Sequence, residues 1–181
     1  MQRFLPCITA ALAVLLSGCG MESAPINEGE EGVALGPGED YFLAGSFEVA
    51  TWADPITDEK NAIAVSMGVG EPAGNVILSF SCTAQYVFSV SVRTGGFRPT
   101  RLVEVTWRID KNPPVHQERW IASEAIVFMS GAEAETFARR LVGGDTLAFR
   151  VESGRAHVFG ITGAAEALAA IPCATGGGVN Y

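Results

Sequence analysis

The chain has 181 residues, 48% of them hydrophobic, which is enough for one domain with a buried core plus short appendages. Its formal net charge is -8, and its 12 basic residues are scattered rather than gathered into a patch or stripe. This composition excludes a nucleic-acid partner and gives no reason to expect a second domain.

Residues 1–18 read as a targeting segment. Arg3 supplies a positive start, and Phe4 to Leu16 is an uncharged, largely apolar run. The run is shorter than the roughly 20 residues needed to span a bilayer, so a signal peptide is expected rather than an anchor helix. Its end, Leu16-Ser17-Gly18-Cys19, resembles the lipobox of bacterial lipoproteins. That resemblance implies a diacylglyceryl group on the Cys19 thiol and a mature chain starting at Cys19, held on a membrane by acyl chains worth about 0.8 kcal/mol per buried methylene. Gly20 stands where an aspartate is often associated with inner-membrane retention, so the resemblance favours the outer membrane, with the body on the periplasmic side of the cell envelope. Residues 19–40 are then a lipidated N-terminus and a flexible tether. They carry Glu22, Glu28, Glu30, Glu31, Glu39 and Asp40 with no basic residue and few large apolar ones. Loss of Arg3 with the signal peptide takes the charge from -8 to -9, and six of those negative charges sit in the tether.

The expected globular domain occupies 41–181. With Cys7 removed and Cys19 lipidated, Cys82 and Cys173 remain as a pair in an oxidising compartment, and a disulfide is expected in preference to two free buried thiols. It would close a loop of roughly 90 residues, for which chain entropy allows about 4 to 5 kcal/mol and typical experience about 2 to 4. Phe42 to Trp52 reads as a first strand and Ala62 to Val69 as a second, with a turn over 54–61. Gly68, Gly70, Pro72 and Gly74 form a loop that fits neither dinucleotide nor P-loop spacing. Residues 76–82 and 86–92 alternate as two half-buried strands joined at Thr83-Ala84, and Gly95-Gly96 with Pro99 are expected to turn the chain. Val103 to Asp110 and Gln117 to Ile121 then read as a hairpin around Lys111-Asn112-Pro113-Pro114. Val103, Val105, Trp107 and Ile109 lie on its apolar face, and Glu104, Thr106, Arg108 and Asp110 on its polar face.

A short strand at Ile126 to Met129 is followed by a helix. Ser130 and Glu133 predict a capping box, Ala134, Phe137, Ala138 and Leu141 form its apolar stripe, Arg139 and Arg140 suit its C-terminus, and Gly143-Gly144 stops it. Strands at 147–151 and 155–161 and a second helix, Ala164 to Ile171, complete the chain before Pro172 and Cys173. The expected fold class is α+β: a curved antiparallel β-sheet or small β-sandwich with two short helices in the C-terminal half.

Catalytic and metal-binding patterns are scarce. His116 and His157 are the only histidines, no His-Glu-x-x-His or spaced Cys/His set occurs, and there is no Gly-x-Ser-x-Gly elbow. No metal, cofactor or catalytic residue is therefore assigned. Glu104, Asp110 and Glu118 could converge as a glycosidase-like carboxylate set. With Arg108 and Arg119 interleaved, a cross-strand salt-bridge ladder or an Arg108–Asp110 turn contact is the plainer expectation. Trp107 and Trp120 are expected in the core, although an exposed Trp120 could stack on a sugar or a partner. Arg108, Asp110, Arg119 and Trp120 are the partner-binding candidates.

Taken in order, Trp52, Asp54-Pro55-Ile56-Thr57-Asp58, Leu78-Ser79-Phe80-Ser81-Cys82, Trp107-Arg108-Ile109-Asp110, Trp120, Leu147-Ala148-Phe149-Arg150-Val151 and Phe159-Gly160-Ile161-Thr162-Gly163 with Cys173 resemble the TagO/VasI family of type VI secretion system-associated envelope proteins. The likeness runs from about Trp52 to Cys173. It implies a non-catalytic accessory role with an envelope protein or peptidoglycan as partner, and supplies no catalytic set. The alternative expectation is a periplasmic lysozyme or hydrolase inhibitor, since an acidic, disulfide-bonded, β-rich body would complement basic lysozymes.

Overall fold

The computed structural model describes residues 40–174 apart from 72–74 and 84. The signal peptide, Cys19 and the tether up to Glu39 lie outside the described residues, as do Pro72 and Gly74 of the expected loop and Ala84 of the expected connection.

Four strands, β1 (Asp40–Ala44), β2 (Phe47–Ala53), β3 (Lys60–Met67) and β4 (Ile77–Cys82), form an antiparallel meander. Their period-2 alternation buries Phe47, Val49, Ala62, Ala64, Leu78 and Phe80 on one face. The single strand expected over 42–52 is a hairpin instead. Gly45, at φ 59, turns the chain so that Ala44 faces Phe47.

β4 pairs with β5 (Phe88–Ile109), a strand of 22 residues. The expected turn at Gly95-Gly96 is not a reversal. Both glycines adopt positive φ, 66° and 78°, and the register with β6 (Val115–Ser130) slips between Arg93 and Arg98, so the strand bends and continues. The strand expected at Ile126 to Met129 is accordingly the far end of β6. Along one edge β5 is held by β6 from Ser89 to Trp107, through three shifts of register. Along its other edge it pairs with β4 up to Arg93 and, from Val105, with β7 (Thr146–Val151).

Between β6 and β7 lies α1 (Ala132–Leu141), which buries Ala134, Phe137, Ala138 and Leu141, the stripe read from the sequence. The capping box does not form. Ser130 stays in the ladder opposite Ser89, Gly131 takes the N-cap with no side-chain bond, and its N–H donates to the Phe88 carbonyl. β8 (Ala156–Gly160) pairs with β7, and α2 (Ala164–Ala169) ends two residues before the expected stop.

The eight strands form one antiparallel sheet in the order β1-β2-β3-β4-β5-β7-β8, with β6 on the outer edge of β5. It curls until Gly68, just after β3, bridges Phe159 and the Val69 N–H donates to the Val158 carbonyl, yet it stays open. The fold is α+β, a curved antiparallel sheet with two short helices in the C-terminal half.

The core is aromatic at both ends of β5. Phe47 stacks on Phe80 at 5.1 Å and Phe80 lies 6.2 Å from Phe88, while Trp107 and Trp120 meet the edge of Phe137 at 5.1 and 5.2 Å. Cys82, at the end of β4, is bonded to Cys173 beyond α2, so the predicted disulfide is present.

A second seam joins the β1–β2 turn to the start of α2. The Ser46 N–H donates to the Thr162 carbonyl at 2.8 Å, and a Cβ on Gly163 would sit 2.1 Å from the Ala44 carbonyl oxygen. Gly143 shares the positive φ but faces open space. Gly163→Ala should therefore destabilise the protein by well over the ~1 kcal/mol of backbone strain that Gly143→Ala incurs. Urea unfolding of the two variants checks this, and equal midpoints would contradict it.

Candidate functional site

The polar face of the β5–β6 hairpin holds most of the side chains that the sequence offers for recognition, and the structure divides them. Trp120 is fully buried, its indole edge-on to Phe137 and 5.1 Å from Phe149. It belongs to the core and presents no surface on which a sugar or partner could stack, which corrects its place among the binding candidates. The reason lies in register. β6 shifts by one residue opposite Val103–Val105, and this turns Trp120 inward while Glu118 and Arg119 stay outside. Gln117 supports the aromatic layer, because its Oε1 accepts from Trp107 Nε1 at 3.2 Å and from Trp120 Nε1 at 3.4 Å.

Asp110 brackets the hairpin to β7. It sits at φ 52 just past β5, and its Oδ1 accepts the Thr146 N–H at 2.8 Å, the Thr146 hydroxyl at 3.1 Å and the Asp145 N–H at 3.2 Å. Its own N–H donates to the Thr146 carbonyl. The expected Arg108–Asp110 contact is absent because these backbone donors already occupy the carboxylate. Arg119 reaches α1 and pairs with Glu133, while Glu104 takes His116 Nδ1 at 3.3 Å. A cross-strand ladder does not form. Nor do Glu104, Asp110 and Glu118 converge: Glu104 lies opposite the bulge at Glu118–Arg119, whereas Asp110 lies beyond the segment paired with β6 and is bound to the start of β7.

Arg108 remains exposed and makes no ion pair among the described residues. The β5–β7 register sets Arg108 opposite Ala148 and Thr106 opposite Arg150, so the two arginines share the outer face as diagonal neighbours. Arg150 is likewise exposed and has no ion-pair partner among the described residues. A shallow groove of about 210 Å³ runs between them, lined by Thr106, Pro114, Ala148 and Ala156 as well. Sequence reading missed Arg150. The signal was there, since Arg150 alternates with the buried Phe149 and Val151, but its neighbour on the sheet is 42 positions earlier in the chain.

His157, read from the sequence as an ordinary strand residue, is buried, with Nδ1 3.3 Å from Glu71 Oε1. Nothing local in the sequence pairs residues 86 positions apart. Among the described residues no cluster of three or more His, Cys, Asp or Glu side chains could hold a metal ion.

No family model, curated protein or solved structure matches the chain.

The Thr146 N–H, with help from the Thr146 hydroxyl and the Asp145 N–H, holds the Asp110 carboxyl below the usual aspartate range, against a smaller opposing effect of desolvation. A carboxyl whose folded pKa lies below its unfolded value contributes its full stability above the unfolded value, about 3.9, and loses it as the pH falls through the folded one. Asp110→Ala should thus lower Tm at pH 7, and the gap to the wild type should close as the pH drops below about 3.9. A gap independent of pH in thermal melts would contradict the bracket.

Proposed function

We propose that the protein is a non-catalytic, lipid-anchored binding protein of the bacterial cell envelope, which presents the outer face of β5 and β7 to an envelope protein or to peptidoglycan. The single observation that carries the reading is the pair Arg108 and Arg150, which have no neutralising carboxylate among the described residues, in a chain where acidic residues outnumber basic ones by 20 to 12. Guanidinium groups left uncommitted on a regular sheet suit carboxylates on a partner, because each presents a rigid fork of donors. The lipobox at Leu16 to Cys19 supports anchorage through Cys19, and the Cys82–Cys173 disulfide supports an oxidising compartment. The resemblance to TagO/VasI proteins supports a place beside a type VI secretion system as the specific form of this reading. Neighbouring genes for such a system would strengthen that form.

Three readouts test the proposal. Cys19→Ser should move the protein from the membrane to the soluble fraction. Arg108→Glu with Arg150→Glu should abolish capture of the partner from crosslinked envelopes, or sedimentation with purified peptidoglycan, while surface changes of this kind leave stability within about 0.5 kcal/mol. Capture unchanged by the double substitution would remove the outer face as the binding surface. Inhibition of a lysozyme at micromolar excess would replace the reading by that of an inhibitor.

A further inference from the structure

The bend in β5 leaves a gap in the sheet. On the edge that β4 leaves at Arg93 and β7 takes up at Val105, about ten residues of β5 have no strand beside them among the described residues. The gap is flanked by Glu71, Asn75 and Val76 on one side and by Gly154 and Arg155 of the β7–β8 turn on the other. Beyond it, β8 meets the end of β3 through the Gly68–Phe159 bridge. The result is a cleft of about 570 Å³, within the usual size of small-ligand sites.

Three cationic or hydrogen-bonding side chains enter this cleft, each fixed by one nitrogen with others to spare. Arg98, on the bend, donates through Nη1 to Thr94 Oγ1 at 2.7 Å and to the Gly95 carbonyl at 3.4 Å. Arg155 donates through Nη2 to Glu71 Oε1 at 2.9 Å. His157 places Nδ1 3.3 Å from the same oxygen, with its side chain about nine-tenths buried. Among the described residues its Nε2 has no partner and is not an enclosed unsatisfied atom, so it opens onto the solvent of the cleft. Val76 and Val151 supply apolar wall.

The charges select a ligand. Arg155 and Glu71 neutralise one another, and Glu152, the carboxylate whose field Arg98 feels, is paired with Arg101, so Arg98 remains the unpaired positive charge of the cleft. The second oxygen of Glu71, on a side chain only 10% exposed, would oppose a doubly charged anion. We propose that the cleft binds a small ligand through a single carboxylate held by the free face of the Arg98 guanidinium, while His157, whose Nδ1–H donates to Glu71, accepts through Nε2 from a donor N–H or O–H of the same ligand. The anchored nitrogens hold both groups in place before the ligand arrives, which lowers the ordering cost of binding. The site is separate from the Arg108–Arg150 face and does not rest on it.

Acetate, N-acetylglycine and N-acetylalanyl-alanine, titrated into the purified full-length protein, test the idea with the amide of N-acetylalanyl-alanine and inorganic phosphate as contrasts. The readout is NMR of the His157 ring and of the Thr94 to Arg98 amides. Saturable shifts with the carboxylates, and none with the amide or phosphate, are expected. Arg98→Gln should weaken binding about tenfold or more, the loss of one charge-assisted contact, with Arg98→Lys intermediate and Arg108→Glu without effect. His157→Gln guards against an Arg98 variant that fails to fold. Equal binding of the acid and its amide, equal binding of phosphate, or no saturable shift by any carboxylate up to tens of millimolar would each overturn the proposal.

Discussion

The architecture depends on one strand having to satisfy two different neighbours along the same edge. β5 is paired with β6 from Ser89 to Trp107, through three shifts of register, so it cannot break in the middle without also breaking that ribbon. β4 and β7, however, come from different parts of the chain and run off the other edge in succession. The conflict is resolved within the ribbon, where Gly95 and Gly96 accept positive φ and Glu124, opposite Arg98 on β6, does so as well at φ 52. Glutamate in that region costs of order 1 kcal/mol or more, a cost that the continuous pairing on either side offsets. Once the ribbon bends, the two halves of the sheet curl over the same core. One contributes Phe47, Phe80 and Phe88, and the other Trp107, Trp120 and Phe149 under Phe137 of α1.

A curled open sheet leaves its first and last strands to be fastened, and the chain does this with its C-terminal segment. Gly45 and Gly163 allow the β1–β2 turn and the entry to α2 to approach closer than any side chain permits. The Cys82–Cys173 disulfide then ties the end of β4 to the segment beyond α2, where Ile171 is fully buried. The bond acts across a separation of 91 residues, so it removes a large share of the freedom of the unfolded chain. Short helices, one of them spanning only Ala164–Ala169, suffice because they fasten an existing sheet rather than form a layer of their own.

Much of this was legible in the sequence where the signal is local. The alternation in β3, β4 and the C-terminal half of β5, the α1 stripe and the cysteine pair are all read from spacing, and the faces of Val103 to Asp110 fall as the pattern predicts. The misreadings share a cause. Gly95-Gly96 has the composition of a turn, but whether two glycines reverse a strand or bend it depends on the distant β6 that pairs across them. Ser130 and Glu133 have capping-box spacing, yet Ser130 is already committed to the ladder and Glu133 to Arg119. Phe42 to Trp52 hides a two-residue turn because Gly45 interrupts an otherwise apolar run. The candidate site suffered in the same way: Trp120 looked able to face outward until a one-residue slip in β6 was known, and Arg150 and Glu71 became relevant only once strands far apart in sequence were laid side by side.

The distribution of arginine partners separates structural from recognitive charge more sharply than exposure does. Arg101 is locked to Glu152 through both nitrogens at 2.6 and 2.9 Å, and that pairing, ahead of opposing desolvation, holds the Glu152 carboxyl below its usual range. Arg119, Arg139 and Arg155 each have a glutamate, and Arg140 lies over the Trp107 ring at 5.8 Å. Each of these has an internal reason to be where it is. Arg98 has neutral hydrogen-bond partners on the bend, and Arg93, Arg108 and Arg150 have no ion-pair partner among the described residues. In a chain with a surplus of carboxylates a guanidinium could readily find a counter-charge, since an exposed pair forms at little cost and yields about 0 to 1 kcal/mol. Arg93, Arg108 and Arg150 do not find one because strand register sets Ile126, Ala148 and Thr106 opposite them, not because acid is scarce. Register is set by the core, so these positive charges are displayed by the same constraint that bends β5.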